Sequence, residues 1–267
     1  MAKIEIIPIK AIKVISPSDS LIEVFFDSLK ANNQSINESD ILVIASKIIA
    51  VVQGRIVDLK KVIPSTEARK LAVQAKIPAE FAEIILKESQ GRYLGVVPGA
   101  ITTINQYGLL ANAGADQSNA EDGKVILLPE NMKENAKIFH QQILSKTGKY
   151  VGIIIADSRT MPLRLGTVGC ALATYGFEPI IDERGNKDLY NKPMHITTRA
   201  IADQLATAAE IVMGETNEQT PFAIIRGFPM KKISEDKEID INRLITMEKC
   251  MFLGPIVDCI KEKGEIK

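Results

Sequence analysis

Short runs of β-branched and other apolar residues recur along the chain, and between them the apolar positions fall at helical spacing. Ile4–Ile7, Ile41–Ile44, Ala100–Ile104, Val125–Leu128, Val151–Ile155 and Phe222–Ile225 read as strands. Leu21–Leu29 follows Ser16, Pro17 and Asp19, a helix-start signal, and Ser65 stands as N-cap of a helix reaching Ala75, with Glu67 and Ala68 behind it. Glu80–Glu88, Lys133–Ser145 and Thr197–Met213 read as further helices. In the last of these, Ala200, Ile201, Leu205, Ala208, Ala209 and Val212 recur at helical spacing, and Gly214 stands where a C-terminal cap belongs. The charged stretch 231–240 reads as a loop before a final helix, Arg243–Lys261. Strands and helices mix without strict alternation, which predicts an α+β fold with mixed sheets rather than a regular doubly wound parallel fold. There is no internal repeat. The stretch 98–129 is rich in Gly, Asn and Asp, and a division into two closely associated parts is expected between residues 75 and 100 of a unit spanning 1–267.

Composition narrows the function classes. The 267 residues carry 33 Lys plus Arg against 33 Asp plus Glu, so bulk charge gives no reason to expect a nucleic-acid partner. A hydrophobic fraction of 46% with 25% charged residues supports an ordinary globular core. Lys3, Glu5, Lys10 and Lys13 interrupt the apolar amino terminus, unlike a secretion signal. Runs such as ILVIA (41–45) and VGIIIA (151–156) fall far short of the roughly 20 residues that span a bilayer. The expectation is a soluble, cytoplasmic protein with no membrane partner. Cys170, Cys250 and Cys259 form neither a disulfide framework nor a zinc ribbon. His140 and His195 are too few and too far apart for the usual zinc sites, and His140 reads as structural.

Three acids stand out because each directly follows an apolar element and precedes small or hydroxyl residues: Asp116 in NAGADQSN, Asp157 in IIIADSRT and Glu215 in VMGETNE. An acid in that position is held at the rim of the core, where ligands collect. Hard cations such as Mg²⁺ take carboxylate and hydroxyl oxygens and share them with substrate phosphates. Together the three could hold metal against a nucleotide; equally, Asp116 and Asp157 could be turn formers and Glu215 a solvated acid past a helix end. Asn119 and Ser158 could donate to phosphate oxygens or merely cap turns. No Walker loop and no Gly-x-Gly-x-x-Gly after a strand occurs, so a nucleotide site would be of another type. The stretch DERGNKDLYNKP (182–193) reads as a solvated loop or as a recognition element for a polar substrate.

Longer motifs then add a resemblance. NAGADQSN (112–119), VILLPEN (125–131), GIIIADS (152–158), GTVGCALATYGFEP (166–179), DERGNKDLY (182–190), ADQLATAAEIVMGE (202–215) and Arg226-Gly227 occur in one order with IIPIKAI and IASKIIAVVQGRIVDL before them. From about residue 4 to residue 228 the chain resembles the coenzyme F420-0:L-glutamate ligase family. The resemblance implies two α+β parts in an intertwined homodimer and a GTP-dependent amide ligation. L-glutamate would be joined to a carboxylate of the deazaflavin acceptor coenzyme F420-0 through an acyl phosphate. It implies Mg²⁺ or Mn²⁺, with room for a monovalent cation such as K⁺. Carried over by motif position, Asp116, Asp157 and Glu215 are implied as catalytic metal ligands, with Ser158 beside the metal. Lys10, Ala11, Ile12, Lys13, Ala45, Ser46, Asn119, Met213, Gly214, Thr216, Asn217, Glu218, Gln219 and Thr220 are implied as nucleotide contacts.

Two departures from the family pattern stand out. Where the family reads Ser-Lys-Ala-Glu-Gly-Arg, this chain has Ala50, Val51, Val52, Gln53, Gly54 and Arg55, so one expected cation is missing at Val51. After Asp157 the family continues with Thr, Gly-Arg and an aromatic-Arg pair; here stand Ser158, Arg159, Thr160, Met161, Pro162, Leu163 and Arg164. Three other readings share the same residues: a glutamate ligase for a folate or pterin acceptor, a metal-dependent phosphohydrolase, and a non-catalytic nucleotide-binding relative.

Overall fold

The computed structural model describes residues 3–233 and 245–256. The chain runs through β1 (Glu5–Ile9), α1 (Leu21–Ala31), β2 (Ile41–Ala45), α2 (Ser46–Val52), β3 (Ile56–Asp58), α3 (Thr66–Ala75), α4 (Ala79–Glu88), β4 (Tyr93–Val97), β5 (Ala100–Asn105), β6 (Gly108–Ala111), β7 (Lys124–Ile126) and α5 (Met132–Thr147). It continues through β8 (Gly152–Thr160), β9 (Thr167–Tyr175), β10 (Ile180–Asp182), β11 (Thr198–Ala200), α6 (Ile201–Met213) and β12 (Phe222–Arg226).

A five-stranded mixed sheet of order β1-β12-β2-β8-β9 forms the frame, parallel only between β2 and β8. Those two strands come from the two continuous apolar runs, and the period-two alternation of a strand explains why both runs are apolar throughout. Leu42, Ile44, Ile153 and Ile155 face one cluster with Phe25 of α1 and Phe139 of α5. Ile41, Val43, Ile154 and Ala156 face the other, with Ile201, Leu205 and Ala209 of α6. Each fully buried Val, Leu, Ile or Phe among them contributes about 1.5–3 kcal/mol of transfer free energy. A second core draws on Ala68, Leu71, Phe81, Ile85, Ile101, Val125 and Leu127. It packs α3 and α4 against the antiparallel β4-β5-β6 sheet and the β3-β7 pair. The interval 75–100 runs through this second core.

Helix α6 comes unusually close to β9. A Cβ built on Gly169 would lie 2.5 Å from the carbonyl oxygen of Ala206, so only glycine lets the two backbones meet there. The Thr207 hydroxyl donates to the Gly169 carbonyl at 2.7 Å and closes the contact. On the same hairpin the register shifts between Ile155 and Ala156, leaving Leu172 as an extra residue on β9. Such a bulge increases local twist and re-aims the next side chains, here Asp157 and Ser158.

The α+β class and the mixed sheet agree with the apolar pattern; several boundaries do not. The helix expected over Thr197–Met213 begins only at Ile201, because Thr198–Ala200 pairs with Ile180–Asp182 as an antiparallel ribbon. Strand β9 carries Gly169, Ala171 and Ala173 in place of β-branched residues and gave no strand signal. In the region of the expected final helix, Met247–Lys249 is a single 3₁₀ turn followed by non-helical residues up to Leu253. The remainder of that helix, and of the loop 231–240 beyond Ile233, lies outside the described residues.

Candidate active site

Because β2 and β8 are parallel, their carboxyl ends open on the same side, the usual place for ligands in such sheets. A cavity of 420 Å³ lies there, within the range typical of small-molecule sites. It is walled by the turn after β1, the start of α2, the end of β8, the last turns of α6 and the loop that follows. A smaller recess of 210 Å³ adjoins it toward the second core and shares Ser46, Lys47, Asp116, Asp157 and Ser158.

Asp157 sits on β8 just past its last pairing with β2, still paired with Cys170 of β9, and its Oδ1 accepts from the Ser46 hydroxyl at 2.9 Å, at the first residue of α2. Burial pushes its carboxyl above the usual range, against the Ser46 hydrogen bond and the nearby Arg159 and Lys47 charges. Asp116 arrives from the second core, its backbone N–H and C=O both paired with Ile126. Its carboxylate accepts from Lys47 Nζ at 2.7 Å, from the Ser118 hydroxyl at 2.5 Å and from the Ser118 N–H at 2.8 Å. Burial raises the Asp116 carboxyl too, but those three donors outweigh it and leave it below the ordinary value. The two acids are therefore tuned in opposite directions.

Glu215 lies in the loop behind α6, and its two oxygens accept from the hydroxyls of Ser158 at 3.2 Å and Thr167 at 3.3 Å. Gly214 ends α6 with φ +73° and ψ 178°, a conformation that is essentially glycine's alone. That turn carries the chain sharply from the helix to Glu215. Glu210, one turn earlier on α6, faces the same cavity. Burial first, then the neighbouring Glu215 carboxylate, push its carboxyl up to about 8. Its Oε1 is buried and has no hydrogen-bond partner among the described residues.

Three hydrogen bonds hold the rim together. The Ala11 N–H donates to Gln219 O, and Gln219 Nε2 donates back to Ala11 O. The Asn119 side-chain amide donates to Thr216 O at 2.9 Å, joining the second core to the loop after α6.

Of the residues named from the sequence, Ala11, Lys13, Ala45, Ser46, Asn119, Met213, Gly214, Thr216, Asn217, Glu218, Gln219 and Thr220 line the cavity together with Asp116, Asp157, Ser158 and Glu215. Lys10 and Ile12 do not. The Lys10 N–H donates to Asn32 Oδ1 and that of Ile12 to the Ser28 hydroxyl, which fastens the segment to α1. Lys47, Val51, Thr167 and Glu210 were not selected as site residues by sequence reasoning. Lys47 directly follows Ser46 at a strand end, a signal that could have found it; Glu210 is an isolated acid among the small residues of α6.

The stretch that departs from the family pattern begins at Arg159. Its Nη1 donates to Tyr107 O at 2.8 Å, while Nε and Nη2 are buried without a partner among the described residues. The charges of the 182–193 stretch are largely spent on one another or nearby: Arg184 chelates Asp182, and Arg199 donates to Glu183.

As donors, Asp116, Asp157, Glu215 and Ser158 offer only oxygen, the chemistry a hard divalent cation takes. In this conformation Lys47 covers Asp116, and no three His, Cys, Asp or Glu side chains converge on one metal position among the described residues. The donor set thus fits Mg²⁺ or Mn²⁺ in kind.

An α+β protein with a mixed sheet and an acid-lined cavity at the ends of two parallel strands is the class this fold defines. Residues 9–227 match the family model of F420-0:gamma-glutamyl ligase, and the chain belongs to that family. It is 32% identical over 250 residues to the coenzyme F420:L-glutamate ligase of Methanothermobacter thermautotrophicus, covering 90% of this chain and 99% of the relative. With the enzyme of the same name from Methanopyrus kandleri it shares 36% identity, over 84% of this chain and 86% of the other. With that of Methanocaldococcus jannaschii it shares 39%, over 72% and 77%. No helix among the described residues is long and apolar enough to cross a membrane.

Proposed function

We propose that this chain is a GTP-dependent amide ligase that joins L-glutamate to a carboxylate of coenzyme F420-0 through an acyl phosphate. The observation that carries the reading is the meeting of Asp116, Asp157 and Glu215, from three separate parts of the chain, on one cavity edged by the loop Met213–Thr220.

A carboxylate is a poor electrophile until one of its oxygens becomes a good leaving group. In the proposed reaction an acceptor carboxylate oxygen attacks the γ-phosphorus and GDP leaves; the glutamate amine then attacks the acyl carbon, phosphate departs, and the amine's surplus proton is lost to solvent. Bound Mg²⁺ or Mn²⁺ would offset the crowded negative charge of phosphates and leaving groups. Asp116, Asp157, Glu215 and Ser158 would hold it. Ser46 orients Asp157 through its hydroxyl, and Ser158 and Thr167 orient Glu215. Ala11, Ala45, Asn119 and the loop Met213–Thr220 form the wall against which the nucleotide would lie.

The altered tip between β8 and β9 favours a shifted acceptor preference within this chemistry. Met161, Leu163 and Leu165 there are exposed, as are Leu189, Tyr190 and Ile196 on the following excursion. We read these apolar side chains as the contact of a homodimer.

Acyl-phosphate formation is tested by labelling the acceptor carboxylate with ¹⁸O. Transfer of one label per turnover into inorganic phosphate is the expected result, whereas unlabelled phosphate, with the lost label recovered in water or in the nucleotide, excludes the intermediate.

A further inference from the structure

Lys47 and Val51 stand one helical turn apart on α2, hence on the same face, and both line the cavity. The sequence's resemblance to the family implies a lysine where Val51 stands. Lys47 Nζ rests on Asp116 Oδ2 at 2.7 Å, on the Ser118 hydroxyl at 2.8 Å and on the Ser118 carbonyl at 3.0 Å. The other lysine of the cavity wall, Lys13, is paired with Asp19 outside it.

We infer that the cation missing at Val51 is supplied one turn earlier by Lys47, whose ammonium leaves Asp116 for a phosphate oxygen of the bound nucleotide when a divalent cation takes the carboxylate. This rests on the reading of the cavity as a metal–nucleotide site.

An ammonium on Asp116 Oδ2 and a divalent cation on the same carboxylate compete, because each needs its lone pairs and they repel one another. Lysine can yield: its charge sits on a flexible four-carbon stem, and its side chain here is 27% exposed. Once displaced, the ammonium lies beside a doubly charged ion and several acids, and a phosphate is the anion that would satisfy it. Lys47 reaches that position from the same helix face that a lysine at 51 would use.

The consequence is a pair of effects with opposite signs. Lys47 opposes metal binding to the empty cavity and favours nucleotide binding to the metal-loaded one, so metal and nucleotide reinforce each other. A lysine that merely braced the fold would shift both in one direction.

The test uses chelator-stripped protein, with Mn²⁺ alone and then GTP at saturating Mn²⁺ as titrants in calorimetry, on wild type, Lys47→Met and the double variant Lys47→Met/Val51→Lys. In Lys47→Met, Mn²⁺ alone should bind more tightly, by about threefold for loss of a partly exposed ion pair. GTP should bind more weakly by roughly tenfold to a hundredfold, the effect of one charge-assisted hydrogen bond. The double variant should recover most of the GTP affinity. Unchanged GTP affinity in a folded Lys47→Met protein, or Mn²⁺ binding weakened alongside it, overturns the inference while leaving the ligase reading in place. Absence of GTP binding by the wild-type protein with Mn²⁺ overturns both.

Discussion

At the scale of single residues, the site is organised by acids whose environments pull them apart. Asp116 is held charged by Lys47 and Ser118, Asp157 is driven toward its neutral form by burial, and Glu210 keeps its proton to about pH 8 beside Glu215. On the metal-holding roles proposed for them, replacing Asp116 or Asp157 by Asn should remove turnover, since loss of such a ligand costs several kcal/mol of transition-state stabilisation, roughly a hundredfold or more in rate. Neither change should unfold the protein, and circular dichroism melts alongside product assays check both halves. Near wild-type activity at saturating metal in either variant contradicts the assignment. Glu210 gives a pH prediction for metal-free protein. Its carboxyl is raised from 4.5 in the unfolded chain to about 8 in the fold, so between those values the folded state holds a proton that the unfolded state has lost. Its stabilising contribution is therefore complete below pH 4.5 and lost as pH rises toward 8. Glu210→Gln, which cannot titrate, should flatten that decline in urea midpoints measured across the range. A slope identical to wild type would show that Glu210 is not its source.

At the scale of elements, the decisive contact is α6 on β9, since it carries Glu210 and Glu215 to the cavity. A methyl group at Gly169 meets the backbone of Ala206 at 2.5 Å, and a helix backbone cannot yield as a side chain can. Gly169→Ala should cost about 1–3 kcal/mol, the usual scale of overpacking, and displace Glu215 with the helix end. Denaturant unfolding measures the first effect and metal affinity the second; a stable variant with unaltered metal binding removes the claim that this contact sets the site. The apolar sequence pattern made β2, α3, α4 and α5 legible to within a residue or two, because each is apolar on the face it buries; of β8 it showed the start but not the polar half, Asp157–Thr160. It could not show β9, whose glycine and alanines answer to a helix more than thirty residues further on. Nor could it show that Thr198–Ala200 leaves the helical pattern to pair with Ile180–Asp182. Of the site, Asp116, Asp157 and Glu215 were legible from their position after apolar elements, whereas Glu210 was not, being an isolated acid within α6. Lys47 was not, since its significance comes from Asp116, which reaches it only through the fold.

At the scale of the whole molecule, the second core supplies Asp116 and Asn119 to a cavity otherwise built on the main sheet, so the two cores close one site between them. The exposed apolar side chains of Leu163, Leu165, Leu189, Tyr190 and Ile196 lie away from both cores. A homodimer burying them should persist at micromolar concentration, as interfaces of roughly 2,000 Å² or more do. Light scattering should give twice the chain mass, and Leu163→Ser with Leu165→Ser should shift it toward one; a wild-type protein of single-chain mass removes the dimer.

The central claim, that the cavity joins glutamate to an acceptor at the expense of GTP, is tested most directly by mass spectrometry of a single reaction. Purified protein is incubated with GTP, Mg²⁺ or Mn²⁺, L-glutamate and a panel of deazaflavin and pterin acceptors. The expected result is an acceptor heavier by a glutamyl unit, formed only when all components are present and matched by one GDP and one phosphate per bond. GTP cleaved at the same rate without glutamate, with no acceptor gaining mass, would contradict it and leave a phosphohydrolase in its place.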